Sequence, residues 1–233
     1  MGRAAVAVAV LGAGLLALAV SASGTSPISG ADAGVPAERL RDAQRIDGLA
    51  TARCERVAVI GDSLTDNARP FLIARLQGAG YTQHVDAQPS REIGLRRPAP
   101  YSGVLAVRDV RATWGDADCW VIALGSNDLL WGGGERSTAA ALIDGLLAEL
   151  TPGARVWWMN VDFHRDPRYA IDYPARTLVF NAAVADAAAA GRVELIDWYA
   201  LAEANLHWFF DPVHVNRAGS IARADLTVAA LDG

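Results

Sequence analysis

Apolar stretches alternate with amphipathic stretches along most of the chain, beginning near residue 54. Five short stretches rich in β-branched and apolar residues predict strands, of which the second is the most polar: Arg56–Ile60, Tyr81–Ala87, Cys119–Leu124, Arg155–Asn160 and Val193–Ile196. Helical periodicity and turn residues predict helices between and after them: Arg69–Gly78, Val104–Ala112, Thr138–Leu150 capped by Ser137, Pro174–Ala190 and Arg217–Leu231. Strands that alternate with helices predict parallel βαβ units and an open sheet covered on both faces.

A sheet of this kind binds its ligands beyond the carboxyl ends of its strands. Gly61-Asp62-Ser63-Leu64 follows the first predicted strand, and Gly125-Ser126-Asn127-Asp128 follows the third. Gln88-Pro89-Ser90-Arg91 follows the second strand, and Asp211-Pro212-Val213-His214 precedes the last helix. These four loops are therefore the candidates for a functional site.

The four loops contain the groups that nucleophilic ester chemistry needs. A serine hydroxyl is activated when a histidine takes its proton and a carboxylate orients the imidazole ring. Ser63, His214 and Asp211 supply these groups, and one tight turn could bring Asp211 to the ring three residues later. The oxyanion would need N–H donors, for which the candidates are the Ser63 backbone, the Asn127 side chain and the backbone at Ser90. Each motif alone also fits an ordinary turn or helix cap, so their order along the chain is the specific feature.

In these blocks the chain resembles the SGNH hydrolases, also called the GDSL family of esterases and lipases. Gly61–Leu64 matches the first block of the family, Gly125–Asp128 the third and Asp211–His214 the fifth. The resemblance extends from Cys54 to about Leu231 and implies a three-layer α/β/α sandwich. Its five-stranded parallel sheet would have the flavodoxin-like order 2-1-3-4-5. The second block of the family would lie in the loop that follows the second strand. It differs here, because Ser90 stands where a glycine is usual. This difference affects only the third oxyanion donor.

The resemblance implies a serine esterase that hydrolyses carboxylic esters through an acyl-enzyme, with no cofactor, and the amino-terminal segment described below adds that it is exported. Small-molecule, lipid and glycan esters are all open; short acyl groups or acetylated glycans are favoured, because no lid-like apolar insertion is evident. A cell-envelope acyltransferase with the same triad and a non-catalytic binding module are the alternatives. An α/β-hydrolase is disfavoured, because Thr65 stands where its Gly-x-Ser-x-Gly motif has the second glycine. Trp131 and His164 are further candidates for substrate contact.

The amino-terminal segment predicts export. Arg3 precedes an apolar run over residues 4–20, and small residues follow it. Residues 1–22 are therefore predicted to be a signal peptide or an uncleaved membrane anchor. Membrane contact is expected only through residues 4–20, and only if they are not cleaved. Residues 23–37 predict a flexible linker. A hydrolase domain is predicted over residues 38–233, beginning with a short helix at Glu38–Asp47.

The two cysteines are predicted to form a disulfide. Cys54 precedes the first strand and Cys119 opens the third, and the expected strand order makes these strands neighbours. Cys54 lies seven residues before Gly61 and Cys119 six before Gly125, so the two thiols should be at similar heights. An exported domain meets an oxidising environment in which the bond persists. Two cysteines cannot build a four-thiolate zinc site, and no metal site is predicted.

Composition narrows the function further. The chain has 233 residues, of which 52% are hydrophobic and 20% charged, which is typical of a globular protein with a sizeable core. The net charge of −5 makes nucleic acid a poor partner. All 21 basic residues are arginines, so mechanisms that need a Schiff-base or P-loop lysine are excluded. The oligomeric state is left open.

Overall fold

The computed structural model describes residues 54–131 and 134–233, in which a parallel five-stranded sheet forms the middle layer. Its strands are β1 (Arg56–Gly61), β2 (Thr82–Ala87), β3 (Cys119–Ala123), β4 (Arg155–Met159) and β5 (Glu194–Ile196). Their order is β2-β1-β3-β4-β5, and every pairing is parallel. The predicted sheet and its strand order are confirmed.

Within the described residues, six α-helices connect the strands or follow them. They are α1 (Ser63–Gly78), α2 (Gly103–Thr113), α3 (Arg136–Leu147), α4 (Tyr173–Ala189), α5 (Trp198–Glu203) and α6 (Arg217–Asp232). Two 3₁₀ turns, Asp128–Leu130 and Leu206–Trp208, complete the described elements. The sequence pattern does not predict α5 or the two turns, because each is too short to show a helical period.

Alternating side chains along the strands supply two separate cores, one on each face of the sheet. On β1, Ala58 and Ile60 belong to one core, and Val57 and Val59 belong to the other. The first core also contains buried residues of α2, α3 and α4, and the second contains buried residues of α1, α5 and α6. The resulting α/β/α layering is the predicted one.

Two predicted helix starts are wrong. The helix expected from Arg69 begins at Ser63, where the Asp62 side chain accepts a hydrogen bond from the Leu64 N–H. Pro70 therefore lies inside this helix, not in its first turn. The predicted cap Ser137 lies within α3, whose N-cap is Glu135. Three of the first four residues of α1 are polar (Ser63, Thr65 and Asp66), so the apolar pattern begins too late to mark its start.

The disulfide joins Cys54 and Cys119, whose Cα atoms are 5.8 Å apart. It lies at the amino ends of β1 and β3, which are adjacent in the sheet. The predicted signal or anchor (1–22), the linker (23–37) and the helix Glu38–Asp47 lie outside the described residues. Within the part of the chain that is described, the helices are too short or too polar to span a bilayer.

Candidate active site

Ser63, His214 and Asp211 form a chain of hydrogen-bonded side chains at the carboxyl edge of the sheet. Ser63 is the first residue of α1, directly after β1, and the other two lie in the turn before α6. Ser63 Oγ lies 2.9 Å from His214 Nε2, and His214 Nδ1 lies 2.8 Å from Asp211 Oδ2. These distances suit a ring that donates from Nδ1 to the carboxylate and accepts the serine proton at Nε2.

The turn that carries the histidine is fixed by Asp211. Asp211 Oδ1 accepts hydrogen bonds from the Val213 N–H at 2.8 Å and the His214 N–H at 2.7 Å. Burial works to raise the pKa of Asp211, but these two bonds and the His214 side chain outweigh it and lower the pKa. Asp211 is therefore held as the carboxylate that the imidazole needs opposite it.

The residue before the serine is a buried carboxyl group. Asp62 caps α1 through the Leu64 N–H at 3.0 Å. Burial raises the pKa of Asp62, and the positive charge of Arg223 opposes that rise. Arg223 is itself buried, and burial lowers its pKa to about 10. The Asp62 cap fixes the turn that presents Ser63 at a helix N-terminus, where the helix dipole favours negative charge.

Asn127 connects the loops that follow β3 and β2. Its Nδ2 donates to the backbone oxygen of Arg91 at 3.0 Å. An amide nitrogen carries two hydrogens, so one N–H remains for an oxyanion. The neighbouring Asp128 accepts from the Ile93 N–H at 3.1 Å through each carboxylate oxygen, and burial raises the pKa of Asp128 to about 8. The two side chains together fix the loop after β2 against the loop after β3.

Ser90 and Arg91 occupy very different environments. Ser90 is exposed, has a positive φ of 62°, and its backbone oxygen accepts from Arg97 Nη1 at 3.1 Å. The Arg91 side chain is 2% exposed and donates to the carboxylate and the backbone oxygen of Asp86, both at 2.9 Å. It also donates to Pro100 O at 2.9 Å and to Gly61 O at 3.3 Å. Asn127 thus contacts the backbone of Arg91, one residue after the predicted oxyanion donor Ser90.

The sequence reasoning missed Arg91 as a structural residue of this site. The one available indication was the polar Asp86 at the end of β2, five residues before an arginine. Nothing in that spacing shows that the Arg91 side chain is buried. Its importance depends on the fold, which brings Gly61 and Pro100 to the same guanidinium group.

The two candidates for substrate contact lie in the segments that follow β3 and β4. Trp131 lies four residues after Asn127 and is 64% exposed. The Arg96 guanidinium packs over the Trp131 ring, 4.6 Å from the ring centre. Trp131 lines a pocket of about 170 Å³. His164 follows β4, and its backbone N–H donates to Pro212 O at 2.7 Å. Phe210 is also exposed, and its ring lies nearly parallel to that of His214 at 6.0 Å.

A parallel α/β sheet with a serine, a histidine and an aspartate linked at its carboxyl edge defines a class of proteins equipped for acyl-group chemistry. The model of the GDSL-like lipase/acylhydrolase family matches residues 59–220. The chain therefore belongs to this family of hydrolases, as its sequence motifs predict.

Solved structures share the fold at low sequence identity. The catalytic domain of peptidoglycan O-acetyltransferase A from Streptococcus pneumoniae is 18% identical with a TM-score of 0.61, over 78% of this chain and 94% of that one. A GDSL-like lipase from Bacteroides thetaiotaomicron is 19% identical with a TM-score of 0.61, over 84% and 98%. A variant of the acetyl xylan esterase Axe2 from Geobacillus stearothermophilus is 17% identical with a TM-score of 0.54, over 76% and 94%. The comparison with curated proteins finds no match.

Proposed function

We propose that the protein is an exported serine esterase that hydrolyses carboxylic esters at Ser63. The observation that carries the proposal is the continuous link from Ser63 Oγ through His214 to Asp211, with contacts of 2.9 and 2.8 Å. Both contacts are within the range of normal hydrogen bonds. The family membership fits the same chemistry.

The reaction would proceed through an acyl-enzyme. Ser63 Oγ bonds to the ester carbonyl carbon while its proton passes to His214 Nε2, and the carbonyl electron pair moves onto oxygen. Collapse of this intermediate breaks the bond to the alkoxy oxygen, and His214 returns the proton to the leaving alcohol. Water then attacks the acyl group by the same route, which releases the acid and restores Ser63.

The oxyanion would be held by N–H groups from three loops. The second Asn127 N–H and the Ser63 N–H at the start of α1 are two of them. A backbone N–H in the loop of Ser90 is the third. Removal of one such donor typically slows the chemical step by ~10²–10³, so the side-chain donor Asn127 can be tested by substitution.

A short acyl group on a glycan is the substrate class we favour. His214 and Asp211 are both partly exposed, so solvent and a bulky alcohol portion can approach them. The exposed rings of Trp131 and Phe210 offer flat apolar surfaces of the kind on which sugar rings pack. The acetyl xylan esterase among the structural neighbours acts on such a polymer, as its name states.

Export is proposed from the predicted amino-terminal signal or anchor together with the disulfide. A disulfide persists in oxidising compartments and is rare in the cytosol. The expected location is the extracellular space or the cell envelope.

An acyltransferase is the second candidate function. One structural neighbour is named as a peptidoglycan O-acetyltransferase and carries a methylsulfonyl adduct. The same acyl-enzyme would then be resolved by a sugar hydroxyl in place of water.

One experiment tests the esterase and separates the two candidates. p-Nitrophenyl esters of increasing chain length are assayed with and without soluble glycan acceptors, and products are identified by mass spectrometry. We expect fastest turnover of short acyl groups and free acid as the main product in both conditions. Acylated glycan as the main product would instead establish the transferase. No release of p-nitrophenol from any ester would leave the binding module as the better account.

A further inference from the structure

A second cluster of chemistry-bearing side chains lies beside the turn of Asp211 and His214. Asp162 and His164 follow β4, and Glu203 ends α5. One ligand atom from each of the three lies within 4.8 Å of the others. The sequence does not indicate this grouping, because the third member lies 39 residues after His164.

A buried carboxylate oxygen without a partner points into this cluster. The Asp162 side chain is 2% exposed, and its Oδ2 faces His164 Nε2 at 3.5 Å. Among the described residues, neither of these two atoms has a hydrogen-bond partner. A buried carboxyl group in that state is costly, and burial accordingly raises the pKa of Asp162. A cation between the two atoms would remove this cost.

The spacing suits a small divalent cation. Two ligand atoms bound to zinc at about 2.1 Å with a near-tetrahedral angle are about 3.4 Å apart. The observed separation of Asp162 Oδ2 and His164 Nε2 is 3.5 Å. Glu203 Oε1 lies nearest the other ring nitrogen, Nδ1, at 3.7 Å, so its side chain, which is 43% exposed, would have to rotate to supply a third ligand.

We propose that Asp162, His164 and Glu203 bind a divalent cation, with zinc preferred. Imidazole nitrogen with carboxylate oxygens suits zinc, whereas calcium and magnesium favour all-oxygen sites. This departs from the sequence prediction of no metal site. The ion is not part of the ester chemistry: it joins the segment after β4 to α5.

The cation would also stabilise the turn that carries the histidine. The His164 N–H donates to Pro212 O at 2.7 Å, and its ring packs edge-on against Phe209 at 4.5 Å. A fixed His164 therefore fixes the backbone between Asp211 and His214. Because the ion binds only the folded state, it should raise the melting temperature.

Zinc binding to the whole, chelator-treated protein tests the site. Isothermal titration with zinc chloride should give one equivalent bound. At about 100 times the dissociation constant, the melting temperature should rise by about 5–10 °C. His164→Gln and Asp162→Asn should each weaken zinc binding at least tenfold. His84→Gln is the matched control, since His84 lies on β2 at the other edge of the sheet, and it should bind as the wild type does.

Three results would overturn the site. One is a wild-type protein that binds no zinc. Another is a His164→Gln variant with unchanged zinc affinity. The third is binding that is lost in His214→Gln but kept in His164→Gln, since zinc would then sit on the proposed catalytic pair. Circular dichroism checks that each variant is folded. If His164→Gln does not fold, the exposed Glu203→Gln variant carries the same test, with the same tenfold loss expected and unchanged affinity as the contrary result.

Discussion

Asn127 is proposed to perform two tasks with one side chain. One N–H of its amide donates to Arg91 O, and the other is the proposed oxyanion donor. We expect Asn127→Ala to reduce kcat by ~10²–10³, the usual cost of one oxyanion donor, with a smaller change in KM. Steady-state kinetics on a short-chain ester measure both.

Asn67→Ala is the control for this variant, because Asn67 is exposed on α1. It should retain wild-type turnover. A normal kcat in Asn127→Ala would show that Asn127 only joins the two loops.

The Asp211→Asn variant tests whether His214 needs an ionised carboxylate at Nδ1. Its lowered pKa keeps it ionised, and Asp211→Asn would place an N–H opposite His214 Nδ1 and favour the wrong tautomer. We expect a loss of about 10⁴-fold in kcat, as in trypsin with the same change. The carbonyl oxygen of asparagine can still accept from Val213 and His214, so the melting temperature should change little. A rate within tenfold of the wild type would remove Asp211 from the mechanism.

Some residues of the candidate site can be recognised from short sequence motifs, and others can be recognised only in the folded structure. Ser63, Asn127, Asp211 and His214 stand in short motifs, and each motif lies after a strand or before a helix that the apolar pattern locates. Arg91 and the Asp162 cluster have no such signal. Their environment consists of groups from distant segments, so burial and partners emerge only when the sheet is assembled.

At the level of secondary structure elements, the loops after β2 and β3 are coupled through Asp128. Burial raises its pKa to about 8, against about 3.9 in an unfolded chain. Between these values the native state holds a proton that the unfolded state has lost, so stability falls as the pH rises from about 4 to 8. Asp128→Asn removes this titration and can keep the acceptor for the Ile93 N–H. We expect the variant to gain melting temperature relative to the wild type progressively across that range.

Thermal melts of both proteins at closely spaced pH values measure this difference. Parallel curves would mean that Asp128 does not carry the buried proton.

The apolar pattern predicts where the strands lie but does not predict where α1 begins. β1 and β3 consist almost entirely of buried residues, and their positions follow from their apolar composition. The start of α1 depends on a single capping contact between Asp62 and Leu64, which polar residues conceal. Such caps are local hydrogen bonds and leave no periodic trace in the sequence.

At the scale of the whole molecule, we expect the disulfide to contribute to stability but not to activity. The bond between Cys54 and Cys119 spans 65 residues, and in the chain-entropy model it stabilises by roughly 4 kcal/mol. It lies at the edge of the sheet opposite Ser63. Reduction should lower the melting temperature by several degrees while kcat below the transition stays unchanged.

The double variant Cys54→Ala/Cys119→Ala is the control, because reductant should not alter its melting temperature. A parallel loss of kcat on reduction, well below the melting transition, would contradict the separation of the two ends of the sheet.

Covalent labelling shows whether Ser63 is the nucleophile. A fluorophosphonate reacts with a serine that a histidine activates. We predict one adduct per chain, located on Ser63 by peptide mass spectrometry, and its absence in Ser63→Ala, which should also lose nearly all esterase activity, about 10⁶-fold in kcat for a nucleophilic serine. A folded wild-type protein that stays unlabelled, or a label on another residue that persists in Ser63→Ala, would contradict the account.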